Sequence, residues 1–312
     1  MSSIVARFEE LHPTSARLAQ RARRVFPDGV THDIRHNVPF PVYVASAEGS
    51  RKHDVDGNEL VDYVMGHGAL LLGHSHPVIT EAVSRQLQRG THYGASHEHE
   101  IAWGEWVQRL VPSAEKLRFT SSGTEATMMA LRLARAATGR PRVLRLREHF
   151  HGWNDSVTGQ PDAEATVPRA AGLPPGMLET SIVIPQDDAT VLERTLDDHA
   201  TDIAAVIFEA TGAHWGTTPI DLAYVRRLRD ESAARGLVLI FDEVITGFRV
   251  APGGAQEAYG ITPDMTTLAK IVAGGLPGGC VAGRAEIIER IAIGDRATRE
   301  PAGDERIAHP GT

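Results

Sequence analysis

LVLIFDE, residues 237–243, is a run of five apolar residues that ends abruptly on two carboxylates. A short apolar run bounded by polar residues is typical of a strand that is buried on both faces. Similar runs occur at residues 117–120, 143–146, 182–184, 203–208 and 265–268. Helical patterns separate these runs, and strands that alternate with helices predict a largely parallel sheet flanked by helices. The predicted fold class is therefore α/β.

The first part of the chain has a different pattern. Residues 1–40 carry amphipathic helical patterns, and residues 42–44, 51–55 and 60–64 have strand patterns around an Asp56-Gly57 turn. These segments predict a small antiparallel appendage. We therefore predict two domains, an N-terminal segment with this appendage at residues 1–64 and a large α/β domain at residues 65–312.

Composition excludes several classes of protein. The 312 residues include 32 Lys and Arg against 40 Asp and Glu, a net charge of −8, which argues against a nucleic-acid partner. The sequence contains no run of about 18 consecutive apolar residues, which a membrane-spanning helix would need. Cys280 is the only cysteine and no secretory leader is recognisable, so we expect a cytoplasmic protein. Three His-x-His pairs lack the further ligands of a metal motif, and we expect no metal.

A candidate anion site follows the run at 117–120. The turn SSGTEA, residues 121–126, comes directly before a helical pattern. Free N–H groups and the dipole at a helix start favour a phosphate, and the hydroxyls of Ser122 and Thr124 add donors. Plain N-capping by serine or threonine explains the same residues. The turn is not a P-loop, because no Gly-Lys-Ser/Thr follows it.

Two further side chains suggest amine chemistry. Asp242 lies at the carboxyl end of a buried strand and needs a cationic or hydrogen-bonding partner, which a protonated pyridine nitrogen would supply. The alternative roles for Asp242 are a helix cap and a metal ligand. Lys270 is one of three lysines in an arginine-rich chain and lies in an apolar, glycine-flanked segment, unlike Lys52 and Lys116. A lysine there suits amine chemistry, although a lysine that packs its stem on apolar surface fits as well.

Together, an anion cradle, a partner for a ring nitrogen and an aldehyde-binding amine describe a site for pyridoxal 5′-phosphate (PLP). A nicotinamide oxidoreductase is disfavoured, because the glycines near residues 66–73 do not have G-x-G-x-x-G spacing. Several motifs follow one another along the chain: DVDGN at 54–58, LGHSHP at 72–77, SGTEAT at 122–127, FHG at 150–152, FDEVITGFR at 241–249, GAQ at 254–256, PDMT at 263–266 and AKIVAGGLP at 269–277. With these motifs the sequence resembles the class III, fold-type-I aminotransferases, and most of all the glutamate-1-semialdehyde 2,1-aminomutases and related aminotransferases.

The resemblance implies roles for the central residues. Lys270 would bind the cofactor as a Schiff base and act as the catalytic acid and base, and Asp242 would pair with the ring nitrogen. Gly123 and Thr124, with Ser122 beside them, would hold the phosphate.

The resemblance extends to residues around the ring and the substrate. Phe150 would stack on the ring, where tyrosine is more usual, and Val244 would press on its opposite face. Glu209 matches a Glu-Pro position of the family, with alanine in place of the proline. Arg35 would receive the substrate carboxylate.

The resemblance also implies an assembly. In the family the active site lies between two subunits, so we expect a homodimer in which Thr312 reaches the phosphate of the neighbouring chain. Family members continue past this point, and a C-terminal small domain is expected to be missing from the present chain.

The departures from the aminomutase pattern concern the substrate side. His67 replaces a tryptophan, His214 replaces an asparagine, and residues 158–164 lack a glycine- and serine-rich segment. These differences favour an aminotransferase that moves an amino group between an amino acid and a keto or aldehyde acceptor. Glutamate-1-semialdehyde 2,1-aminomutase activity is the first alternative. A truncated remnant that binds the cofactor without turnover is the second.

Overall fold

A computed structural model describes residues 3–158, 171–174, 176–293 and 307. The described residues form two compact units, one within Met1–Tyr93 and one within Gly94–Thr312. The predicted domain boundary after residue 64 stays a prediction.

The first unit combines three helices with a small sheet. The helices are α1 (Ile4–Leu11), α2 (Pro13–Ala22) and α3 (Pro77–Leu87), and the strands are β1 (Val44–Glu48), β2 (Arg51–Asp54) and β3 (Glu59–Val61). The strands pair antiparallel in the order β1-β2-β3. Asp56, in the turn between β2 and β3, accepts hydrogen bonds from the backbone N–H groups of Thr14 and Ser15 at 2.6 and 3.0 Å. A carboxylate at the start of α2 stabilises the helix and ties it to the sheet. The predicted antiparallel appendage is confirmed.

The second unit is built on a larger sheet. Its strands are β4 (Lys116–Thr120), β5 (Arg142–Leu146), β6 (Ser181–Ile184), β7 (Ile203–Glu209), β8 (Thr218–Pro219), β9 (Val238–Asp242), β10 (Met265–Ala269) and β11 (Gly279–Gly283). Its helices are α4 (Glu98–Leu110), α5 (Gly123–Thr138), α6 (Ala189–Asp198), α7 (Ala213–Gly216), α8 (Leu222–Arg235), α9 (Gly254–Tyr259) and α10 (Ala285–Ile288).

Seven of these strands form one sheet in the order β4-β11-β10-β9-β7-β5-β6. The neighbours from β10 through β6 pair parallel, and β11 pairs antiparallel with both β10 and β4. Among the described strands of this sheet, β11 is therefore the one that runs opposite to the others. The carboxyl ends of the other six meet at one edge, where ligands of such sheets bind.

Alternating side chains place this sheet between two apolar layers. Along β7, Ala205 and Ile207 pack with α5, whereas Val206 and Phe208 pack with the layer that contains residues of α6 and α8. Successive side chains of a strand point to opposite faces, so a strand between two layers is apolar throughout. This explains why the central strands appear in the sequence as continuous apolar runs.

The predicted strands of the second unit are confirmed, each within two residues at its ends. β8 and β11 are additional strands that the apolar runs do not predict. No helix in the described part of the chain is long and apolar enough to cross a membrane.

Candidate active site

Three charged side chains lie at the carboxyl edge of the large sheet. Glu209 is the last residue of β7, Asp242 is the last residue of β9, and Lys270 follows β10 directly. Glu209 and Asp242 are direct neighbours in the β7–β9 pairing, and β9 pairs with β10. The strand order therefore brings together residues that lie far apart in the sequence.

Asp242 is buried and accepts three hydrogen bonds. His151 Nδ1 lies 2.7 Å from Oδ2, and the Val244 N–H and the Thr267 hydroxyl donate to Oδ1 at 3.1 and 3.2 Å. All three partners present donors, and a carboxylate oxygen is an acceptor. The carboxylate is thus held in place and stays available to a cationic partner.

His151 has one defined hydrogen-bonding role. Because the Asp242 carboxylate is an acceptor, Nδ1 of His151 carries the proton in this pair. The Thr127 hydroxyl donates to the His151 carbonyl at 2.7 Å and holds its backbone. Among the described residues, the buried Nε2 has no hydrogen-bond partner.

Lys270 lies in a strained and largely desolvated position. Its φ of +54° falls in the left-handed region, where a residue other than glycine costs about 1–3 kcal/mol and is found mostly at functional sites. Burial lowers the pKa of Lys270, and the charges of Asp242 and Glu209 oppose that effect. A lysine with a lowered pKa is more often neutral, and the neutral amine is the nucleophile.

The start of α5 lies beside the end of β10. The Ser122 hydroxyl accepts from the Glu125 N–H at 3.2 Å and caps the helix. The N–H groups of Gly123 and Thr124 are those that an anion at this helix start would meet. A Cβ on Gly123 would lie 3.1 Å from a methyl of Val244 and 3.2 Å from Ala269. Only glycine lets this backbone approach them without a shift.

Phe150 and Glu209 are joined by a hydrogen bond. The Phe150 N–H donates to Glu209 Oε1 at 2.8 Å. Phe150 is 64% exposed, whereas its neighbours His149 and His151 are buried. The aromatic ring therefore faces outward, whereas both neighbouring imidazoles face inward.

The structure thus brings together eight predicted site residues in the second unit: Ser122, Gly123, Thr124, Phe150, Glu209, Asp242, Val244 and Lys270. Arg35 and His67 belong to the first unit, where Arg35 Nη1 donates to the Thr31 hydroxyl at 3.0 Å. Thr312 lies outside the described residues. Residues 159–164, from the segment that lacks the glycine- and serine-rich pattern, also lie outside them.

His151 is the functional candidate that the sequence argument did not assign. The motif FHG contains it, but its pairing with Asp242 spans 91 positions of sequence. The His-x-His spacing of residues 149 and 151 was the available signal, since it places two imidazoles on one face of an extended segment. Within the described ranges, no group of three or more His, Cys, Asp or Glu side chains is arranged to hold a metal ion.

Comparison with known proteins agrees with this geometry. Residues 34–299 match the family described as aminotransferase class-III. The chain belongs to the class-III aminotransferase family. The resemblance read from the motifs and the predicted α/β fold are both confirmed.

Individual relatives within the class-III aminotransferases differ in activity. A glutamate-1-semialdehyde 2,1-aminomutase from Methanocella arvoryzae is 43% identical over 282 residues, which are 89% of this chain and 66% of that protein. An omega-transaminase from Sphaerobacter thermophilus superimposes with a TM-score of 0.86 at 39% identity and covers 96% of this chain and 68% of its own. A transaminase with PLP bound superimposes with a TM-score of 0.87 at 34% identity, and the match covers 99% of this chain and 70% of that one. The chain thus spans 66% of the length of the curated relative.

Proposed function

We propose that this protein is a PLP-dependent aminotransferase, which moves an amino group between an amino acid and a keto or aldehyde acceptor. One observation carries the proposal. Lys270 directly follows β10 and has a strained backbone conformation. Burial lowers its pKa, and the charges of Asp242 and Glu209 are close enough to act on that pKa. An amine of this kind beside a buried carboxylate suits covalent binding of an aldehyde cofactor.

The residues of the site fit PLP. The helix start at Ser122–Thr124 suits its phosphate, and Gly123 leaves the space that a Cβ would fill. Asp242, held by His151, offers a carboxylate to a protonated ring nitrogen. The exposed face of Phe150 suits a planar ring, and we place Val244 on the ring's other face.

When bound, PLP supplies an aldehyde for the amine and a ring that accepts the electron pair released at the substrate carbon. Lys270 Nζ would remove the proton from the substrate carbon that bears the amino group and would deliver it to the carbon that receives the nitrogen. Asp242 would pair through its charge with a protonated ring nitrogen. His151 donates its Nδ1–H to Asp242 and so orients that carboxylate. Glu209 accepts the Phe150 N–H and so holds the backbone that carries the aromatic side chain, which would stack on the cofactor.

Two residues of the first unit are assigned to the substrate. Arg35 is a permanent cation at the end of the 3-10 turn Asp33–Arg35, and we assign it to the substrate carboxylate. His67 packs its ring edge-on against His32, with 5.1 Å between the ring centres. We assign His67 to the substrate side chain.

The second candidate function is aminomutase activity, in which the nitrogen returns to the same carbon skeleton. The 43% identical aminomutase from Methanocella arvoryzae favours it. The histidines at 67 and 214 favour the intermolecular reaction, because they change the substrate side while leaving the cofactor residues in place.

We further propose a cytoplasmic homodimer. Cys280, the only cysteine, is buried in β11, which suits a reducing compartment. In the dimer, Thr312 of the partner subunit would reach the phosphate and complete each site. Sedimentation should then give a dimer whose cofactor occupancy falls on dilution. A monomer with full occupancy would contradict this assembly.

Absorbance spectroscopy of the purified protein with PLP tests the function. An aminotransferase should change its absorbance from the aldehyde form to the amine form of the cofactor on addition of a suitable amino acid, and a keto acid should reverse the change. Glutamate-1-semialdehyde converted without any second carbonyl substrate would favour the aminomutase. A protein that binds PLP and never changes its spectrum with a broad amino-acid panel would be a cofactor-binding remnant, and the proposal would fail.

A further inference from the structure

A chain of hydrogen bonds lies behind Glu209. The Glu209 backbone N–H donates to His149 Nδ1 at 2.9 Å, and His149 Nε2 lies 2.9 Å from Gln186 Oε1. The Ala213 N–H also donates to that oxygen, at 3.2 Å. On the other side of the amide, Gln186 Nε2 donates to the Pro219 carbonyl at 3.0 Å. One imidazole therefore connects the end of β7 to residues 213–219.

The groups at the two ends of this series of hydrogen bonds determine which atom donates and which accepts in each bond. A backbone N–H only donates, so His149 Nδ1 accepts from Glu209 and the ring proton resides on Nε2. That N–H needs an acceptor, which Gln186 Oε1 supplies. The orientation of the Gln186 amide is set in turn, because Ala213 presents a donor and Pro219 presents an acceptor. The His149 ring has no other orientation that satisfies both of its nitrogens.

The surroundings of His149 hold it in the neutral form. The side chain is buried, and burial, followed by the nearby charge of His151, lowers the pKa of His149 to about 4. A protonated ring would also turn a second N–H toward the Glu209 N–H. His149 is thus a fixed connector, and no step of the proposed reaction uses its proton.

Two parts of the candidate site depend on this connector. Glu209 anchors the Phe150 backbone and contributes to the electrostatics of Lys270. Gln186 also holds residues 213–219 through its bonds to Ala213 and Pro219, and this segment carries His214. His214 Nε2 lies 3.3 Å from Glu148 Oε2.

We infer that His149 is a positioning residue, which sets the place of Glu209 beside the cofactor and, through Gln186, the place of the loop that carries His214. The inference rests on the proposed function.

Two substitutions separate the two hydrogen bonds of the ring. In His149→Asn, Oδ1 stands as many bonds from Cα as Nδ1 does and keeps the acceptor for Glu209. In His149→Gln, Nε2 replaces the ring Nε2 and keeps the donor for Gln186, while the Glu209 N–H loses its acceptor. We expect the dissociation constant of PLP to rise only about threefold in His149→Asn, which loses the bond to Gln186, and about tenfold in His149→Gln, as for an unpaired buried donor.

A spectroscopic signature distinguishes positioning from general destabilisation. The pH at which the absorbance of bound PLP titrates should shift by about half a unit or more in His149→Gln, because Glu209 moves relative to Lys270. His149→Asn, the matched control, should keep the wild-type midpoint. Equal dissociation constants and equal midpoints in all three proteins would overturn the inference.

A third variant decides the case in which both His149 variants fail to fold. Gln186 is partly exposed, so Gln186→Ala is expected to fold, and it should raise the dissociation constant of PLP about threefold by freeing the His149 ring. An unchanged constant and midpoint in Gln186→Ala would also overturn the inference. If the unaltered chain fails to bind PLP, the proposed function itself falls, whereas binding by the unaltered chain with indifferent variants refutes only the role of His149.

Discussion

Acidification should unfold this protein in part through His149. The pKa of His149 is lowered from 6.5 to about 4 by burial, so the folded chain takes up this proton only below the pH at which the unfolded chain does. The sign follows from linkage: stability is unaffected above pH 6.5 and is lost as pH falls from 6.5 toward 4. A shift of about 2.5 units corresponds to about 3 kcal/mol in full, of which about 2 kcal/mol is lost between pH 7 and pH 5.

Urea unfolding at pH 7 and pH 5 measures this loss. His149→Asn is the comparison, because it removes the titrating ring and leaves the other ionisable groups to titrate in both proteins. We expect the free energy of unfolding to fall by about 2 kcal/mol more in the wild type than in His149→Asn over this interval. Equal losses in the two proteins, within about 0.5 kcal/mol, would refute the assignment of His149 as a buried neutral ring.

Three further substitutions test the site. Asp242→Asn should still bind PLP but lower turnover roughly a hundredfold or more, measured as kcat, because an amide cannot hold the ring proton by charge; unchanged turnover would remove Asp242 from the mechanism. Gly123→Ala should weaken PLP binding about tenfold in an equilibrium titration by crowding, whereas Gly104→Ala, inside α4 and in ordinary contact, should leave binding unchanged and add about 0.5–1 kcal/mol of stability. Thr127→Val should lower the free energy of urea unfolding by about 1–2 kcal/mol, because the His151 carbonyl loses its buried donor; no change would show that this bond is dispensable.

Most of the large sheet can be predicted from local sequence. β7 and β9 are apolar along their whole length because both faces of the sheet are covered, and their ends are marked by Glu209 and Asp242. β11 escapes prediction for a physical reason. A Cβ on Gly279 would lie 2.4 Å from the Ser122 carbonyl oxygen, and one on Gly283 would lie 2.6 Å from the Asp264 carbonyl oxygen. Crowding selects glycines that make this strand resemble a loop.

The candidate site likewise contains some residues that local sequence predicts and others that it does not. Lys270 and Asp242 are recognisable because each is a polar residue that interrupts or ends an apolar segment. The supporting contacts of His151, His149 and Gln186 come from the strand order, which places segments 37 to 91 positions apart side by side. No local pattern encodes those distances, so the imidazoles appear in the sequence only as a His-x-His pair.

The most direct test of the central claim is to locate the covalent attachment of the cofactor. The protein is incubated with PLP, reduced with borohydride and digested, and the modified peptide is identified by mass spectrometry. The label should lie on Lys270, and Lys270→Ala should keep its fold and lose the label. The chain's other lysines, Lys52 and Lys116, serve as internal controls. A label on either of them, or a fully labelled Lys270→Ala variant, would contradict the assignment of the active site.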